Sequence, residues 1–333
     1  MAENKGILIC GEIAKGNIAA ITQELLAAGR KLADALGEEV ITLLMGSGIE
    51  GLGKEAIAFG ADKVYIADHP LLAQYHPDCY TAVATKVCQQ LNSSIVLLGQ
   101  TDMGRDLAPR LAARLGGGLC MDCLELDIDP ETRLMLQTRP VYGGNARAIK
   151  VCEKARPQIA TIRSKAVSPL ERDDSRQGEV IKFDADIDGS VMKVKVVDRV
   201  KEEAAGVKLE EAEVIVTGGR GIGGPEGFET LRELAKLLGG AVGGTRVACE
   251  EGWLPTSLQV GQTGKVVGPT LYIAVAVSGA MQHLAGCSGS KNIVAINKDP
   301  EANIFKVARF GVVADYQVAV PALITKCKEL LAT

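Results

Sequence analysis

The last third of the chain carries polar side chains directly after short apolar runs. Four such runs are each followed by groups that can bind a ligand: Arg220 after 214–217, Ser278 and His283 after 271–277, Asn297 after 293–296, and Asp315 after 312–314. In an open parallel sheet, ligands bind beyond the carboxyl ends of the strands. Because these side chains are expected on one edge, the pattern predicts a nucleotide-binding crevice in this part of the chain.

A glycine-rich segment, Gly218–Gly224, follows the first of these runs and precedes the helical spacing of 228–238. It contains a GxGxxG spacing that begins at Gly219, and such glycines let the backbone approach a pyrophosphate at the positive end of a helix. The signal is weak alone, because the same spacing begins at Gly46, where a tight strand-to-helix turn is the better interpretation. About twenty residues further on, the segment 241–246 offers no acidic side chain for a ribose, so a simple NAD site is disfavoured.

The segment Gln259-Val-Gly-Gln-Thr-Gly-Lys265 lies between apolar runs and has neither helical nor strand periodicity. Its glycines and its small hydroxyl suit a loop whose backbone donors surround a flat ligand. It lacks the first glycine and the spacing of GxxxxGK[ST], so it is not a P-loop.

The N-terminal half contains the elements of a second α/β domain. Short buried runs begin at Gly6, Val40, Val64 and Ser94, and helical spacing follows each of them. This alternation predicts a mostly parallel sheet with helices on both faces.

From Glu125 onward the rhythm changes. Three further strands are predicted, as at the edge of an α/β core: 134–138, 146–151 and 158–163. The stretch 168–190 is polar and acidic, and 191–197 alternates like an exposed strand. A charged segment then predicts a domain boundary near residue 205. The predicted fold class is therefore α/β with two domains, 1–205 and 206–333, each a mostly parallel sheet flanked by helices, the second being Rossmann-like.

Metal binding is not expected. Cys120-Met-Asp-Cys123 is a lone CxxC, whereas a zinc or iron–sulfur site needs a second pair or nearby histidines. The nine scattered cysteines are interpreted as reduced thiols packed as small hydrophobic side chains. Residues 184–189 resemble the start of a calcium loop, but its twelfth position is Lys195 instead of a glutamate, so calcium binding is rejected.

Bulk composition excludes other classes of protein. The formal net charge of −4 argues against a nucleic-acid partner. No apolar run approaches the ~18–20 residues that a membrane span needs. The first ten residues have the features of neither a signal peptide nor a presequence, so a cytoplasmic location is expected.

The sequence resembles the alpha subunit of electron-transfer flavoproteins over nearly its whole length. The C-terminal motifs that carry the resemblance are Gly218-Gly-Arg-Gly, Gly252-Trp253, Gln259–Lys265, Leu271-Tyr-Ile-Ala274, Ser278–Gly286 and Ala295–Glu301. The N-terminal motifs are Gly104–Arg110, Thr138–Asn145 and Arg156-Pro-Gln158. Two positions depart from the family's usual residues: Thr245 stands where serine is expected before Arg246, and Cys120-Met-Asp-Cys123 replaces Thr-Ala-Asp-Cys.

The resemblance implies a heterodimer with a beta subunit and one FAD in the C-terminal domain. The FAD contacts that it implies are Arg220, Thr245, Arg246, Val260, Gly261, Gln262, Thr263, Ser278, Gly279, Ala280, Met281, Gln282, His283, Asn297, Asp315 and Tyr316. Arg246 and Thr263 are expected beside the isoalloxazine ring, with the Thr263 hydroxyl near N5 and His283 near the N1/O2 edge. The Asn297 and Asp315 loops are expected to face the adenosine half.

A fixed guanidinium suits this role because it stays charged, stacks on a planar ring and stabilises the reduced, anionic flavin. Other roles remain open for two of these residues: Arg246 also fits a surface ion pair, and His283 a hydrogen-bonded core residue.

The implied activity is that of an electron carrier, so no general acid, base or nucleophile is assigned. Electrons would pass singly to a flavoprotein dehydrogenase, such as an acyl-CoA dehydrogenase, or to a quinone-linked oxidoreductase. An alternative is a bifurcating assembly whose beta subunit carries a second FAD and oxidises NADH. An alternative of another class is a non-redox nucleotide sensor, because both halves look like nucleotide-binding α/β domains.

Overall fold

The computed structural model describes residues 4–144, 146–197 and 207–331. The chain divides into two compact units: the N-terminal unit, Met1–Val141 with Arg147–Arg199, and the C-terminal unit, Tyr142–Ala146 with Val200–Thr333. The domain boundary predicted near residue 205 lies outside the described residues and stays a prediction.

The N-terminal unit contains twelve strands and four helices among its described residues. In chain order they are β1 (Ile7–Gly11), β2 (Ile13–Ala14), β3 (Asn17–Ile18), α1 (Ala20–Leu36), β4 (Val40–Gly46), α2 (Gly53–Ala58), β5 (Lys63–Asp68), α3 (Pro77–Leu91), β6 (Ile95–Gly99), α4 (Asp102–Leu115), β7 (Gly118–Cys123), β8 (Glu125–Ile128), β9 (Met135–Val141), β10 (Ala146–Lys150), β11 (Gln158–Ile162) and β12 (Glu179–Lys182).

Seven of these strands form one parallel sheet in the order β12-β5-β4-β1-β6-β11-β7, and a separate sheet has the order β10-β9-β8. Both faces of the large sheet are covered. In β1, Ile7 and Ile9 pack into one hydrophobic cluster, and Leu8 and Cys10 pack into another on the opposite face. Burial on both faces explains the continuous apolar runs, and the predicted α/β class is confirmed.

The structure corrects the predicted position of the strand at 158–163. This strand, β11, lies between β6 and β7 instead of at the edge, and all five of its residues are buried. One edge is instead formed by β12, from the polar stretch 168–190, where the sequence analysis placed no strand. The short, charged β12 is mostly exposed, as is common for edge strands.

The exposed strand predicted at 191–197 is also wrong, since the structure assigns no strand there. Side chains bind the backbone of this segment in place of a neighbouring strand. The Lys193 N–H donates to Asp78 Oδ2 at 2.9 Å, and the Val194 carbonyl pairs with His76 Nε2 at 3.0 Å.

The first glycine-rich turn, after β4, is closed by the protein itself. Gly48 has a left-handed φ of +71°, and the backbone N–H groups of Gly48 and Ile49 donate to the Asp68 carboxylate at 2.9 and 2.8 Å. An internal carboxylate therefore occupies the donors that a phosphate would need. These contacts favour the interpretation of the turn as structural.

The C-terminal unit contains five strands and four helices among its described residues. They are β13 (Val214–Gly218), α5 (Gly227–Leu237), β14 (Ala241–Gly244), α6 (Arg246–Glu250), β15 (Leu271–Val275), α7 (Met281–Cys287), β16 (Asn292–Asn297), β17 (Phe310–Val313) and α8 (Tyr316–Leu331).

The five strands are parallel and have the order β14-β13-β15-β16-β17. This 2-1-3-4-5 order is the flavodoxin-like form of the doubly wound fold. Hydrophobic clusters lie on both faces, one around the buried ring of Tyr272 and one around that of Phe228.

Across the described ranges, no helix is both long and apolar enough to cross a bilayer. In the same ranges, His, Cys, Asp and Glu side chains form no cluster of three or more that could hold a metal ion. The cytoplasmic location stays a prediction.

Candidate cofactor site

The strand order of the C-terminal unit reverses at β13, which has β14 on one side and β15 on the other. In doubly wound folds such a switch point opens a crevice at the carboxyl ends of the two flanking strands. The loops that follow β13 and β15 hold Arg220 and Ser278, respectively. The fold therefore places two of the predicted residues at the expected position for a ligand.

Gly219 allows the two strand ends to approach closely. Its N–H donates to the Val275 carbonyl at 3.0 Å, and a Cβ on Gly219 would overlap the carbonyl oxygen of Ala276. The side chain that follows, Arg220, is exposed on a short 3-10 turn. This glycine is therefore required for strand packing, and the same packing holds Arg220 at the mouth of the crevice.

Tyr316 ties the start of α8 to the glycine-rich loop. Its hydroxyl donates to the Ile222 carbonyl at 2.8 Å. A cavity of about 490 Å³ opens beside this contact, with Gly223, Gly227 and Thr230 among its lining residues. One wall of the predicted site is thus built by the glycine loop and the start of α8.

The 260–263 loop is held on two sides. The Val260 N–H donates to the Gly244 carbonyl, at the end of β14, at 2.9 Å. The Gln262 N–H donates to the Gln282 carbonyl, in α7, at 2.7 Å. The exposed side chains of Gln262 and Thr263 are therefore carried by a loop fixed to both a strand end and a helix.

Two glycines let this loop lie directly against α7. Gly261 has a φ of +149°, and a Cβ on Gly286 would overlap the backbone N and Cα of Gly261. Gly286 was not among the predicted site residues. Its position three residues after His283, on the same face of a helix, is the sequence signal that would have indicated this contact.

His283 is buried, and both of its ring nitrogens have protein partners. Nδ1 lies 3.1 Å from the Val260 carbonyl and Nε2 lies 3.0 Å from the Tyr272 hydroxyl. Because a carbonyl only accepts, Nδ1 carries the proton and Nε2 accepts from Tyr272. Burial lowers the pKa of His283 from 6.5 to about 4, against the opposing effect of the Val260 hydrogen bond. These contacts favour a neutral ring that holds the 260–263 loop, and contact with the flavin N1/O2 edge stays a prediction.

The residues before α7 form an exposed rim. The Ser278 carbonyl accepts from the Ile304 N–H at 3.2 Å, while the Ser278 side chain is exposed. Gly279 has a φ of +80°, and a Cβ there would overlap the Ile304 nitrogen. Ala280 and Met281, at the start of the helix, are exposed, the latter by 56%. The rim therefore presents a hydroxyl, small residues and a flexible thioether.

Asn297 and Asp315 close the loops after β16 and β17. The Asn297 amide donates to the Val277 carbonyl at 2.9 Å, and its oxygen accepts from the Asp299 N–H at 3.0 Å. The Asp315 carboxylate accepts from the Gln317 N–H at 2.9 Å. Asn297 thus links two strand ends, and Asp315 supports the start of α8 with one oxygen.

Thr245 and Arg246 begin α6 directly after β14. The Thr245 N–H donates to the Gly218 carbonyl at 3.0 Å. Arg246 pairs through Nε with Glu250 Oε1 at 2.7 Å, and both side chains are more than half exposed. An exposed pair of this kind contributes less than about 1 kcal/mol, so it leaves the guanidinium able to turn toward a ligand.

Sequence reasoning missed two further contributors to this site. The Gln259 amide donates to Thr263 Oγ1 at 2.9 Å and so orients the hydroxyl, and Tyr272 orients the His283 ring. Both residues lay within recognised motifs, but Tyr272 was interpreted only as part of an apolar strand. Its partnership with a helix residue could not be read from spacing alone.

A larger cavity, of about 650 Å³, lies in the N-terminal unit. Its lining includes Arg172 and Arg176, which pair with Asp174 and Asp62 at 2.9 and 3.2 Å. None of the predicted site residues borders it, so its size does not make it the cofactor site.

Comparison with known families agrees with this geometry. Residues 7–188 match the model of the electron transfer flavoprotein domain, and residues 208–288 match that of the electron transfer flavoprotein FAD-binding domain. The second match begins before β13 and ends just after α7, so it includes the switch point and the 260–263 loop.

Relatives match over almost the full length. The chain is 48% identical to an electron transfer flavoprotein subunit alpha of Thermoanaerobacterium thermosaccharolyticum, over 99% of this chain and 100% of the relative. It is 44% identical to the subunit of the same name from Bacillus subtilis, over 98% of each chain. It is also 38% identical to the acryloyl-CoA reductase electron transfer subunit beta of Anaerotignum propionicum, over 92% and 91% of the two chains. The chain therefore belongs to the electron transfer flavoprotein alpha subunit family, and its C-terminal domain is an FAD-binding domain.

Proposed function

We propose that the chain pairs with a beta subunit, holds one FAD in its C-terminal unit and passes single electrons between a donor and a partner oxidoreductase. One observation carries the proposal: the segment that matches the FAD-binding domain family contains the loops that follow β13, β14 and β15 at the switch point. The residues that match the FAD-binding family are thus the same residues that the fold places at the expected ligand position.

The residues at this edge fit an anionic dinucleotide with a flat ring. Arg220 and Arg246 are exposed cations, and Ser278 and Thr263 expose hydroxyl groups. Close glycine contacts fix these loops against neighbouring backbone, so little ordering entropy would be lost on binding. The site is therefore suited to hold FAD in one orientation.

Separate parts of the site are assigned to separate parts of the cofactor. Arg246 and the 260–263 loop would hold the isoalloxazine ring. The loops that carry Asn297 and Asp315, with Tyr316, would hold the adenosine half. Arg220 and the rim before α7, including Ala280 and Gln282, complete the proposed set of contacts.

When bound, FAD supplies the electron chemistry, and the protein supplies binding, orientation and electrostatics. The Arg246 guanidinium would stabilise negative charge on the reduced ring. The Gln259 amide would fix the direction of the Thr263 hydroxyl. His283 would act mainly as a positioning residue, because its ring already joins Tyr272 to Val260.

The proposed partner is a flavoprotein dehydrogenase, such as an acyl-CoA dehydrogenase, or a quinone-linked oxidoreductase. The relative from Anaerotignum propionicum is named as an electron transfer subunit of an acryloyl-CoA reductase, which supports an acyl-CoA oxidoreductase as the class of partner.

The test is a redox titration of the Arg246→Ala variant, purified with its beta subunit. Removing one charge-assisted interaction of ~1–2 kcal/mol should lower the one-electron potential of the flavin by ~50–100 mV. Arg232→Ala is the matched control, since Arg232 also makes an exposed pair within one helix, with Glu229 at 2.5 Å. An unchanged potential in Arg246→Ala, or an equal shift in the control, contradicts the role of Arg246.

The cofactor content of the purified complex also distinguishes the alternative assemblies. One flavin per heterodimer, with AMP in the beta subunit, supports a simple carrier. Two flavins and oxidation of NADH would support a bifurcating assembly. A complex without flavin absorbance would contradict the proposal and favour a non-redox sensor.

A further inference from the structure

A β-bulge in the N-terminal unit brings Cys120 and Cys123 to the same face of the sheet. Against β11, Cys120 pairs with Ala160 and Cys123 pairs with Ile162, so three steps along β7 oppose two. In a regular strand, side chains three residues apart point to opposite faces. The bulge, with a left-handed φ of +64° at Asp122, corrects this offset, and both thiols enter one hydrophobic cluster.

The two thiols lie on either side of the same bulge. The Cys123 thiol donates to the Cys120 carbonyl at 3.7 Å, and the two thiols shift each other's pKa in opposite directions. Asp122, which creates the bulge, is itself fixed, since its carboxylate accepts two hydrogen bonds from Arg163 at 2.8 and 2.7 Å. The local backbone therefore holds the two sulfur atoms together.

Arg139 gives this pair a positive neighbour. Its positive charge acts on Cys120, and its buried Nε has no hydrogen-bond partner within the described part of the chain. The hydrogen bond from Cys123 is the main cause that lowers the pKa of Cys120, and the charges of Arg139 and Lys150 lower it further. The same hydrogen bond and burial raise the pKa of Cys123. One sulfur is thus prepared as a nucleophile and the other as a resolving thiol.

Other cysteines lack this arrangement. Burial raises the pKa of Cys88 to about 12 and that of Cys287 to about 12. Cys120 is nearly buried as well, but it lies on β7, the outermost strand of the sheet, where local opening exposes side chains most readily. The pair therefore combines proximity, activation and a route of access.

We propose that Cys120 and Cys123 form a reversible disulfide by exchange with a low-molecular-weight disulfide, which makes the N-terminal unit a redox site separate from the flavin. The Cys120 thiolate attacks one sulfur of the small disulfide and releases one thiolate. Cys123 then gives its proton to that thiolate, attacks Cys120 Sγ and releases the second thiolate. The dithiol is oxidised by two electrons, and the small disulfide is reduced to two thiols.

The test uses the full chain, purified with its beta subunit and equilibrated in graded ratios of oxidised to reduced glutathione. After free thiols are alkylated, trypsin cleavage at Arg114 and Arg133 releases residues 115–133, which contain Cys120 and Cys123 and no other cysteine. We expect this peptide to lose two hydrogen atoms and its alkylation sites as the ratio rises, and to regain them on reduction. This measurement needs no variant to fold.

Variants separate the pair from general thiol reactivity. Cys120→Ser should leave Cys123 reduced, and Cys88→Ser is the control that should leave oxidation of the peptide unchanged. Arg139→Gln should raise the pKa of Cys120 and so lower its thiolate fraction. Because the more basic thiolate is a better nucleophile, the reaction should slow by only about two- to fivefold. Arg139→Lys should restore most of the rate.

Three outcomes would overturn the proposal. The first is a peptide that stays reduced at every ratio. The second is a stable glutathione adduct at Cys120 with Cys123 still free. The third is a disulfide between Cys120 and Cys152, which falls in a different tryptic peptide.

Discussion

The two units share a parallel, doubly wound architecture but treat the carboxyl ends of their strands differently. In the N-terminal unit, carboxylates close these ends: Asp68 accepts from Gly48 and Ile49, and Glu12 accepts from the Thr101 hydroxyl at 2.6 Å. In the C-terminal unit, the corresponding loops expose hydroxyl, amide and guanidinium groups, such as those of Ser278 and Arg246. The same fold thus provides a binding site only where the polar groups at the strand ends have no internal partner and can contact a ligand.

The largest expected effect comes from filling the glycine contact of the C-terminal unit. Gly286→Val would force a branched side chain into the backbone of Gly261 and should destabilise this unit by about 3 kcal/mol. FAD affinity should fall with it, because the 260–263 loop must move. Urea unfolding followed by the fluorescence of Trp253, the single tryptophan, measures the change.

The matched control is Gly51→Val, in the glycine turn of the N-terminal unit. No atom lies within 4 Å of a Cβ built there. This variant should change stability by less than about 1 kcal/mol and leave FAD affinity unchanged. Equal losses of stability in Gly286→Val and Gly51→Val would contradict the proposed difference between the two glycine positions.

Acidification should move the stabilities of the two units in opposite directions. The pKa of His283 is lowered from 6.5 to about 4. Below pH 6.5, His283 therefore binds a proton in the unfolded chain but stays neutral in the folded unit. Between pH 7 and 5 the C-terminal unit should lose about 2 kcal/mol. Burial, only partly offset by the Lys165 N–H, raises the pKa of Glu24 from 4.5 to about 7, so the N-terminal unit should gain about 1–2 kcal/mol over the same interval.

Calorimetry at the two pH values, with Trp253 fluorescence to assign the transitions, tests this divergence. His283→Gln should flatten the response of the C-terminal unit alone, and Glu24→Gln that of the N-terminal unit alone. Transitions that shift together, or variants that leave the response intact, would show that other groups control the pH dependence.

The smallest effect is expected from the closed turn. Asp68→Ala removes the acceptor of two backbone N–H groups and should destabilise the N-terminal unit by about 1 kcal/mol. FAD affinity should stay as it is, since this turn is not part of the cofactor site. Asp68→Asn, which keeps one side-chain oxygen, should recover about half of the loss, as measured by calorimetry. A change in FAD affinity would mean that the two units are not independent.

The parallel sheets could be predicted from sequence because burial on both faces leaves a continuous apolar run, as in β1 and β13. The position of β11 could not, because strand order depends on contacts far apart in sequence. β12 escaped notice since an edge strand needs little hydrophobicity. The strand predicted at 191–197 failed because exposed alternation alone does not supply a hydrogen-bonding neighbour.

Individual site residues were predicted mainly through motif resemblance, which identifies positions but does not show the contacts that each side chain makes. Arg246 was placed beside the ring, and the structure shows it exposed with an easily broken ion pair. His283 was placed at the ring edge, and the structure shows a buried ring bound on both sides. Sequence spacing predicts which residues lie close together. Only the packed structure shows which side chains still have hydrogen-bond donors and acceptors available for a ligand.

The backbone contact between Gly261 and Gly286 has a consequence for the speed of electron passage. A loop whose main chain packs directly against a helix has little freedom to move when the charge of its ligand changes. Dipoles that are already oriented need not rearrange as an electron arrives or leaves. If this loop borders the flavin ring as proposed, the two glycines would limit protein motion around the ring, and the rate of each transfer would depend mainly on distance and driving force.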